Sequence, residues 1–214
     1  MGPIGIRWTR FCNFSGRKVS CHQSLFPDEG DPIEQEKCRE QLQELEQAKG
    51  GDLAAQEDLI VRYQQRIAGF IYTFLGDPSV VEDLAQQIFV KMLQGLHQLK
   101  DPERFEVWLF RLARNACLNH LRAEKWRRRF TPFTDRHEIA AEPETNPEDE
   151  ARLAWLERAI RTLPAPDREL LALLQDDTLS YEDLARITGT TVSAVKSRLF
   201  RAREQLKQKI PNEL

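Results

Sequence analysis

Hydrophobic residues recur three and four positions apart along most of the chain, and that spacing predicts helices. Ala55, Leu59, Tyr63, Ile67, Phe70, Ile71 and Phe74 follow it behind Asp52, whose short carboxylate suits an N-cap, and Gly76 ends the run. Asp77-Pro78 opens the next helix, because a first turn does not need the N–H that proline lacks. In that helix Val81, Leu84, Ile88 and Met92 form the apolar stripe, with Glu82, Asp83, Gln86 and Lys91 off it. A third segment, Phe105–Arg122, turns Trp108, Leu109, Leu112, Ala116 and Leu121 inward. Arg111, Arg114, Asn115, Asn119 and Arg122 stand off its core face. No stretch shows the two-residue alternation of a strand and no internal repeat is visible, so the expected class is all-α.

The sharpest local pattern lies near the C-terminus. Ser180-Tyr181-Glu182-Asp183 reads as a capping box opening a short helix to Ile187, and Thr188-Gly189-Thr190 as a tight turn. Thr191 then caps a longer helix to about Lys209, whose stripe is Val192, Val195, Leu199, Ala202 and Leu206. Two helices around a glycine-containing turn are the signature of a helix-turn-helix. Ser193, Lys196, Ser197, Arg198 and Arg201 are left for solvent or a ligand.

The 214 residues are enough for two small domains. Residues 1–38, mixed in Gly, Pro and polar residues, read as a poorly ordered tail, and residues 39–129 as a first helical domain. Residues 130–150 change character: Thr131-Pro132, Glu142-Pro143 and Asn146-Pro147 break structure. Seven acids between Asp135 and Glu150, against Arg136 alone, make this a flexible acidic linker. Residues 151–209 form the second domain and 210–214 a closing tail. No apolar run approaches the roughly 18 residues of a spanning helix, and residues 1–30 have no secretory pattern, so a cytoplasmic protein without membrane insertion is expected.

The net charge of −3 argues against a polyanion partner until its distribution is read. Lys100–Arg129 holds nine bases and four acids, and Arg186–Lys209 seven bases and one acid. Two basic helical segments flanking an acidic linker look like two DNA footprints. A helix fits the major groove with its first turns toward base edges, which suits Lys196, Arg198 and Arg201, with Ser193 and Ser197 short enough for close seating. Arginine and asparagine beside Phe105 and Trp108 suit a single strand, although both aromatics read better as core.

Several runs resemble one family. Val80-Val81-Glu82-Asp83-Leu84-Ala85-Gln86-Gln87-Ile88-Phe89 is similar to the polymerase-binding helix of extracytoplasmic-function sigma factors of the sigma-70 family. Trp108-Leu109-Phe110-Arg111-Leu112-Ala113-Arg114-Asn115 resembles their −10 segment. Leu163-Pro164, Ser180–Ala185 and Val195–Arg203 resemble their −35-binding domain, and the likeness covers about Ala48–Lys209. It implies that Asp83, Leu84, Gln86, Gln87 and Phe89 dock on the clamp helices of the largest subunit of core RNA polymerase. Arg111, Arg114, Asn115, Asn119 and Arg122 would hold the melted −10 element. Thr191, Ser193, Lys196, Ser197, Arg198 and Arg201 would bind the −35 duplex, with the opposite face of that domain on the polymerase flap. It further implies two helical domains matching sigma regions 2 and 4, promoter DNA as a partner, an anti-sigma factor as the usual regulator, and neither cofactor nor catalytic residues. Asn119 stands where the family commonly has Asp, and Ala194 where it commonly has Thr, which leaves promoter details open.

Two alternatives stay open on the residues. A helix-turn-helix regulator without a sigma role would explain the C-terminal domain but not the Asp83–Phe89 helix. A thiol or metal sensor could use Cys12, Cys21, His22 and Cys38, although no CxxC pair is present and no metal is expected. Cys117 sits among apolar neighbours and reads as a small core residue. His97, His120 and His137 lack nucleophile or ligand partners at motif spacing, and no glycine-rich phosphate loop occurs, which speaks against an enzyme.

Overall fold

The computed structural model describes residues 32–130, 155–176 and 178–209. The expected linker after Phe130, the closing tail, and Cys12, Cys21 and His22 all lie outside the described residues. Helix α1 spans Pro32–Lys49, α2 Leu53–Leu75, α3 Val81–Gly95 and α4 Phe105–Phe130, with short 3-10 turns at Pro78–Val80, Leu96–Gln98 and Pro102–Arg104. Residues 155–161 are helical (α5). Helix α6 spans Ala165–Leu174, α7 Tyr181–Thr188 and α8 Val192–Lys207. The described residues contain helices and no strand.

Capping chemistry explains the boundaries. The Asp52 carboxylate accepts from the N–H groups of Ala54 and Ala55, and α2 ends at Gly76 with φ of 71°. Asp77 caps the turn that leads into α3. The Ser180 hydroxyl accepts from the Asp183 N–H while the Asp183 carboxylate accepts from the Ser180 N–H, completing the expected capping box. Gly189 closes α7 with φ of 70°, and the Thr191 hydroxyl accepts from the Ala194 N–H to start α8. Two boundaries differ from expectation. Helix α1 begins at Pro32, so Pro32–Cys38 belongs to a helix rather than an irregular tail. Helix α4 runs past Arg122 to Phe130, because nothing in Ala123–Arg129 stops a helix.

Helices α1–α4 form one unit. Ile67, Phe70, Ile71 and Phe74 of α2 pack with Ile88 and Met92 of α3 and Leu109 and Phe110 of α4, all at 2% exposure or less. Each such side chain stabilises the fold by about 1.5–3 kcal/mol through burial. Helices α5–α8 form the second unit around Leu163, Leu170, Leu173, Leu184, Val195 and Leu199. The apolar core runs on between the units, with α6 against α2 and α7 against α4.

Candidate nucleic-acid interface

Helix α3 turns one face to the core and one to solvent. Asp83, Gln86 and Gln87 are exposed, and together with Val90, Lys91 and Gln94 they line a shallow surface groove. Val90, 53% exposed, gives this face an apolar side chain among its polar ones. Leu84 and Phe89 must be corrected: at 6% and 8% exposure they belong to the core and support the face from beneath. Val90, Lys91 and Gln94 extend the Asp83–Gln87 face at spacings of three and four, a signal already present in the sequence.

Helix α4 shows the same division. Asn115, Asn119 and Arg122 are exposed along one side, and the Arg122 guanidinium donates to the Asn119 side-chain oxygen at 3.2 Å. Arg111 is exposed, and one of its nitrogens donates to the backbone oxygen of Arg186 at 2.6 Å. Arg114 departs from expectation, since its side chain is 22% exposed and pairs with Glu169 of α6. A charged residue off the core face of one helix has met a second helix that the local sequence cannot reveal. Burial is the largest influence on the Glu169 carboxyl and pushes it above the usual carboxylate range, opposed by Arg114 and Arg198.

In the helix-turn-helix, Thr191, Ser193, Lys196, Ser197 and Arg201 are exposed. Lys196 stands 5.6 Å from the Tyr181 ring centroid, a cation–π contact linking α8 to α7. Lys196, Ser197, Phe200 and Arg201 line a surface concavity, and Phe200 is 66% exposed. Arg198 is half-buried and lies within electrostatic reach of Glu169 of α6.

A polar cluster that sequence reasoning missed joins the two units. Arg66 makes a two-point contact with Asp176 at 2.6 and 2.9 Å, and also donates to Glu106 and to the Thr178 hydroxyl, each at 2.7 Å. The Thr178 hydroxyl lies 2.7 Å from Glu106 and 2.6 Å from Asp176, and its single proton serves one of them at a time. The Tyr63 hydroxyl donates to Glu106 at 3.0 Å, and the Arg66 guanidinium lies over the Tyr63 and Phe110 rings. Burial alone would raise the Glu106 carboxyl, yet hydrogen bonds from Arg66, Thr178 and Tyr63 outweigh it and hold that carboxyl below its ordinary range. Burial, chiefly, pushes the Tyr63 phenol up. Arg168 of α6 donates to the Phe74 backbone oxygen at 3.1 Å, satisfying a carbonyl in the last turn of α2.

Among the described residues no group of three or more His, Cys, Asp or Glu could hold a metal, and no helix is long and apolar enough to cross a membrane. Cys117 is fully buried, as expected for a small core residue. Cys38 lies within α1.

Comparison with known proteins converges on these two units. Residues 59–127 match the family model "Sigma-70 region 2", and residues 153–206 match "Sigma-70, region 4". The chain is 34% identical over 183 residues to the RNA polymerase sigma-H factor of Pseudomonas aeruginosa, covering 78% of this chain and 93% of that protein. It is 33% identical over 179 residues to the ECF RNA polymerase sigma-E factor of Escherichia coli K12, covering 78% and 92%. Among solved structures, CnrH in complex with the cytosolic domain of CnrY is similar at a TM-score of 0.60 and 25% identity, over 78% of this chain and 95% of that one. The sigma factor RpoE bound to the anti-sigma factor NepR from Bartonella quintana has the same fold at a TM-score of 0.63 and 23% identity, over 72% and 94%.

Proposed function

The chain belongs to the extracytoplasmic-function sigma factors of the sigma-70 family, and from that premise we propose which of its surfaces meet the polymerase and which meet the promoter. A member of this family binds core RNA polymerase and directs promoter-specific initiation of transcription. The exposed α3 face of Asp83, Gln86 and Gln87, with Val90 at its centre, docks on the clamp helices of the largest subunit. Leu84 and Phe89 hold that face in place. On α4, Arg111, Arg114, Asn115, Asn119 and Arg122 hold the melted −10 element. The turn at Gly189 sets α8 for the major groove of the −35 element, where Thr191 and Ser193 approach the backbone. Lys196, Ser197 and Arg201 then reach phosphates and base edges. Arg198 sits at the edge of that surface. The opposite face of the second unit rests on the polymerase flap.

Polymerase catalyses nucleotide addition, and the chain contributes binding and strand separation without chemistry of its own. Its workplace is the cytoplasm, with the polymerase and the chromosome. The sigma factor RpoE from Bartonella quintana, similar in fold, is in complex with the anti-sigma factor NepR, which makes an anti-sigma factor a natural regulator here.

The observation that carries this reading is the coexistence in one chain, in the family's order, of a polar exposed α3 face and a capped helix-turn-helix with a basic outer face. The deciding experiment is co-purification with core RNA polymerase, followed by transcription from a pool of genomic fragments. A stoichiometric complex that starts transcripts at defined sites, which core alone does not, is the expected result. Specific duplex binding by the chain alone, without any core complex, would overturn the assignment in favour of an ordinary helix-turn-helix regulator.

A further inference from the structure

Lys196 is held differently from Lys49 and Lys207. Each of those two pairs with a glutamate three residues back on its own helix, Glu46 and Glu204. The positions three and four away from Lys196 are Val192, Ser193, Leu199 and Phe200, so α8 offers it no acid. Among the described residues no carboxylate forms an ion pair with its ammonium. A ring from the neighbouring helix meets it instead, with the nitrogen 5.6 Å from the Tyr181 centroid.

The two kinds of contact have different consequences for an anionic ligand. A carboxylate neutralises the cation and occupies its donors, so an incoming phosphate has to displace it. The negative face of an aromatic ring attracts the ammonium without cancelling its charge. The three N–H donors then remain available to an anion. A lysine side chain otherwise samples many rotamers, and ordering it on binding costs affinity. A ring that holds the cation beforehand lowers that cost. The ring is itself anchored. Tyr181 is the first residue of α7, where the Ser180–Asp183 capping box sets the backbone and Asp183 is 2% exposed. Leu184, Ala185 and Ile187 fix α7 in the core, while Tyr181 stays 36% exposed at the surface. On the other side Val195, fully buried, fixes the turn of α8 that carries Lys196.

We propose that Tyr181 is a positioning residue whose ring holds the Lys196 ammonium, still fully charged, ready for the DNA that α8 meets at the −35 element. The inference rests on the assignment of α8 to that duplex. It deepens the assignment by adding a residue that lies outside the recognition helix and acts through Lys196.

The test uses holoenzyme assembled from the full chain and core polymerase, with affinity for a −35 duplex read by fluorescence anisotropy at fixed salt. Tyr181→Leu should weaken binding by about two- to fivefold, and Tyr181→Phe, which keeps the ring without the hydroxyl, should restore it. In a Lys196→Gln background, itself weaker than the unaltered protein, Tyr181→Leu should cost nothing further, because the cation it acts through is gone. A merely structural role in α7 would weaken both backgrounds equally, and that result would overturn the proposal. So would a Phe variant as weak as the Leu variant, which would place the hydroxyl rather than the ring at work. If Lys196→Gln alone left the duplex affinity unchanged, the assignment of Lys196 to DNA would fall, and this inference with it.

Discussion

At the scale of single residues, environment decides which groups are chemically available. Burial, reinforced by the Glu169 carboxylate, pushes the Cys117 thiol up to about 12. Thiolate, the reactive form, is then scarce at neutral pH. Site-resolved alkylation read by mass spectrometry is expected to leave Cys117 unmodified in the native protein at pH 8 and to label it fully after denaturation. Rapid native labelling would mean that α4 opens locally. Glu106 makes the opposite case. Its folded carboxyl titrates below the ordinary value of 4.5. The stabilisation it supplies is therefore complete above that ordinary value and disappears as pH falls through the folded one. Glu106→Gln should lower the thermal midpoint at neutral pH and flatten its fall as the pH drops below that ordinary value. An unchanged acid profile in the variant would place the sensitivity on another carboxylate.

At the scale of elements, two glycines separate backbone strain from packing. Gly189 and Gly76 both end helices at φ near 70°, but a Cβ at Gly189 would meet nothing within 4 Å, whereas one at Gly76 would lie 3.1 Å from the Arg161 side chain. Gly189→Ala should therefore destabilise by about 1 kcal/mol from backbone conformation alone. Gly76→Ala should cost more, because Arg161 must also move. Denaturant unfolding of the two variants checks the order, and the reverse order would show that the turn after α7 is more tightly constrained than its open surroundings indicate. These ends were legible in sequence because caps, left-handed glycines and apolar stripes act within a few residues. The same locality explains the misreadings. The Asp83–Phe89 run resembles a docking motif, yet periodicity places Leu84 and Phe89 beneath the face that Asp83, Gln86 and Gln87 present. The basic run Lys125–Arg129 carries no stop signal and extends α4 beyond Arg122, where the apolar stripe runs out. Arg114 looked free on its own helix because Glu169, its partner, lies 55 residues away.

At the scale of the molecule, the two units meet through residues that the proposal assigns to DNA. Arg114 is engaged by Glu169, and Arg111 gives one of its five N–H donors to the Arg186 backbone oxygen, so part of each guanidinium is already committed to the other unit. On the proposed assignment of α4 to the −10 element, DNA would compete with this docked arrangement for the same guanidinium groups. Arg66 reaches 110 residues along the chain to Asp176, whose side chain is only 7% exposed, and this two-point contact ties the units together. Arg66→Ala would be a blunt probe, because it also strips Glu106 of its partner within the first unit. Asp176→Ala leaves Arg66 its bonds to Glu106 and Thr178 and removes the two-point contact across the interface, together with an acceptor for the Thr178 N–H and hydroxyl within the second unit. Losing charge-assisted hydrogen bonds of this kind should weaken docking by about 2–3 kcal/mol. Small-angle scattering of the free chain is expected to show a larger radius of gyration for Asp176→Ala than for the unaltered protein. Affinity of the free chain for promoter DNA should rise in the same variant, as Arg111 and Arg114 are released. Should both stay unchanged, the apolar contacts of α2 with α6 and of α4 with α7 would be sufficient to hold the units together, and polymerase rather than loss of the ion pair would have to separate them.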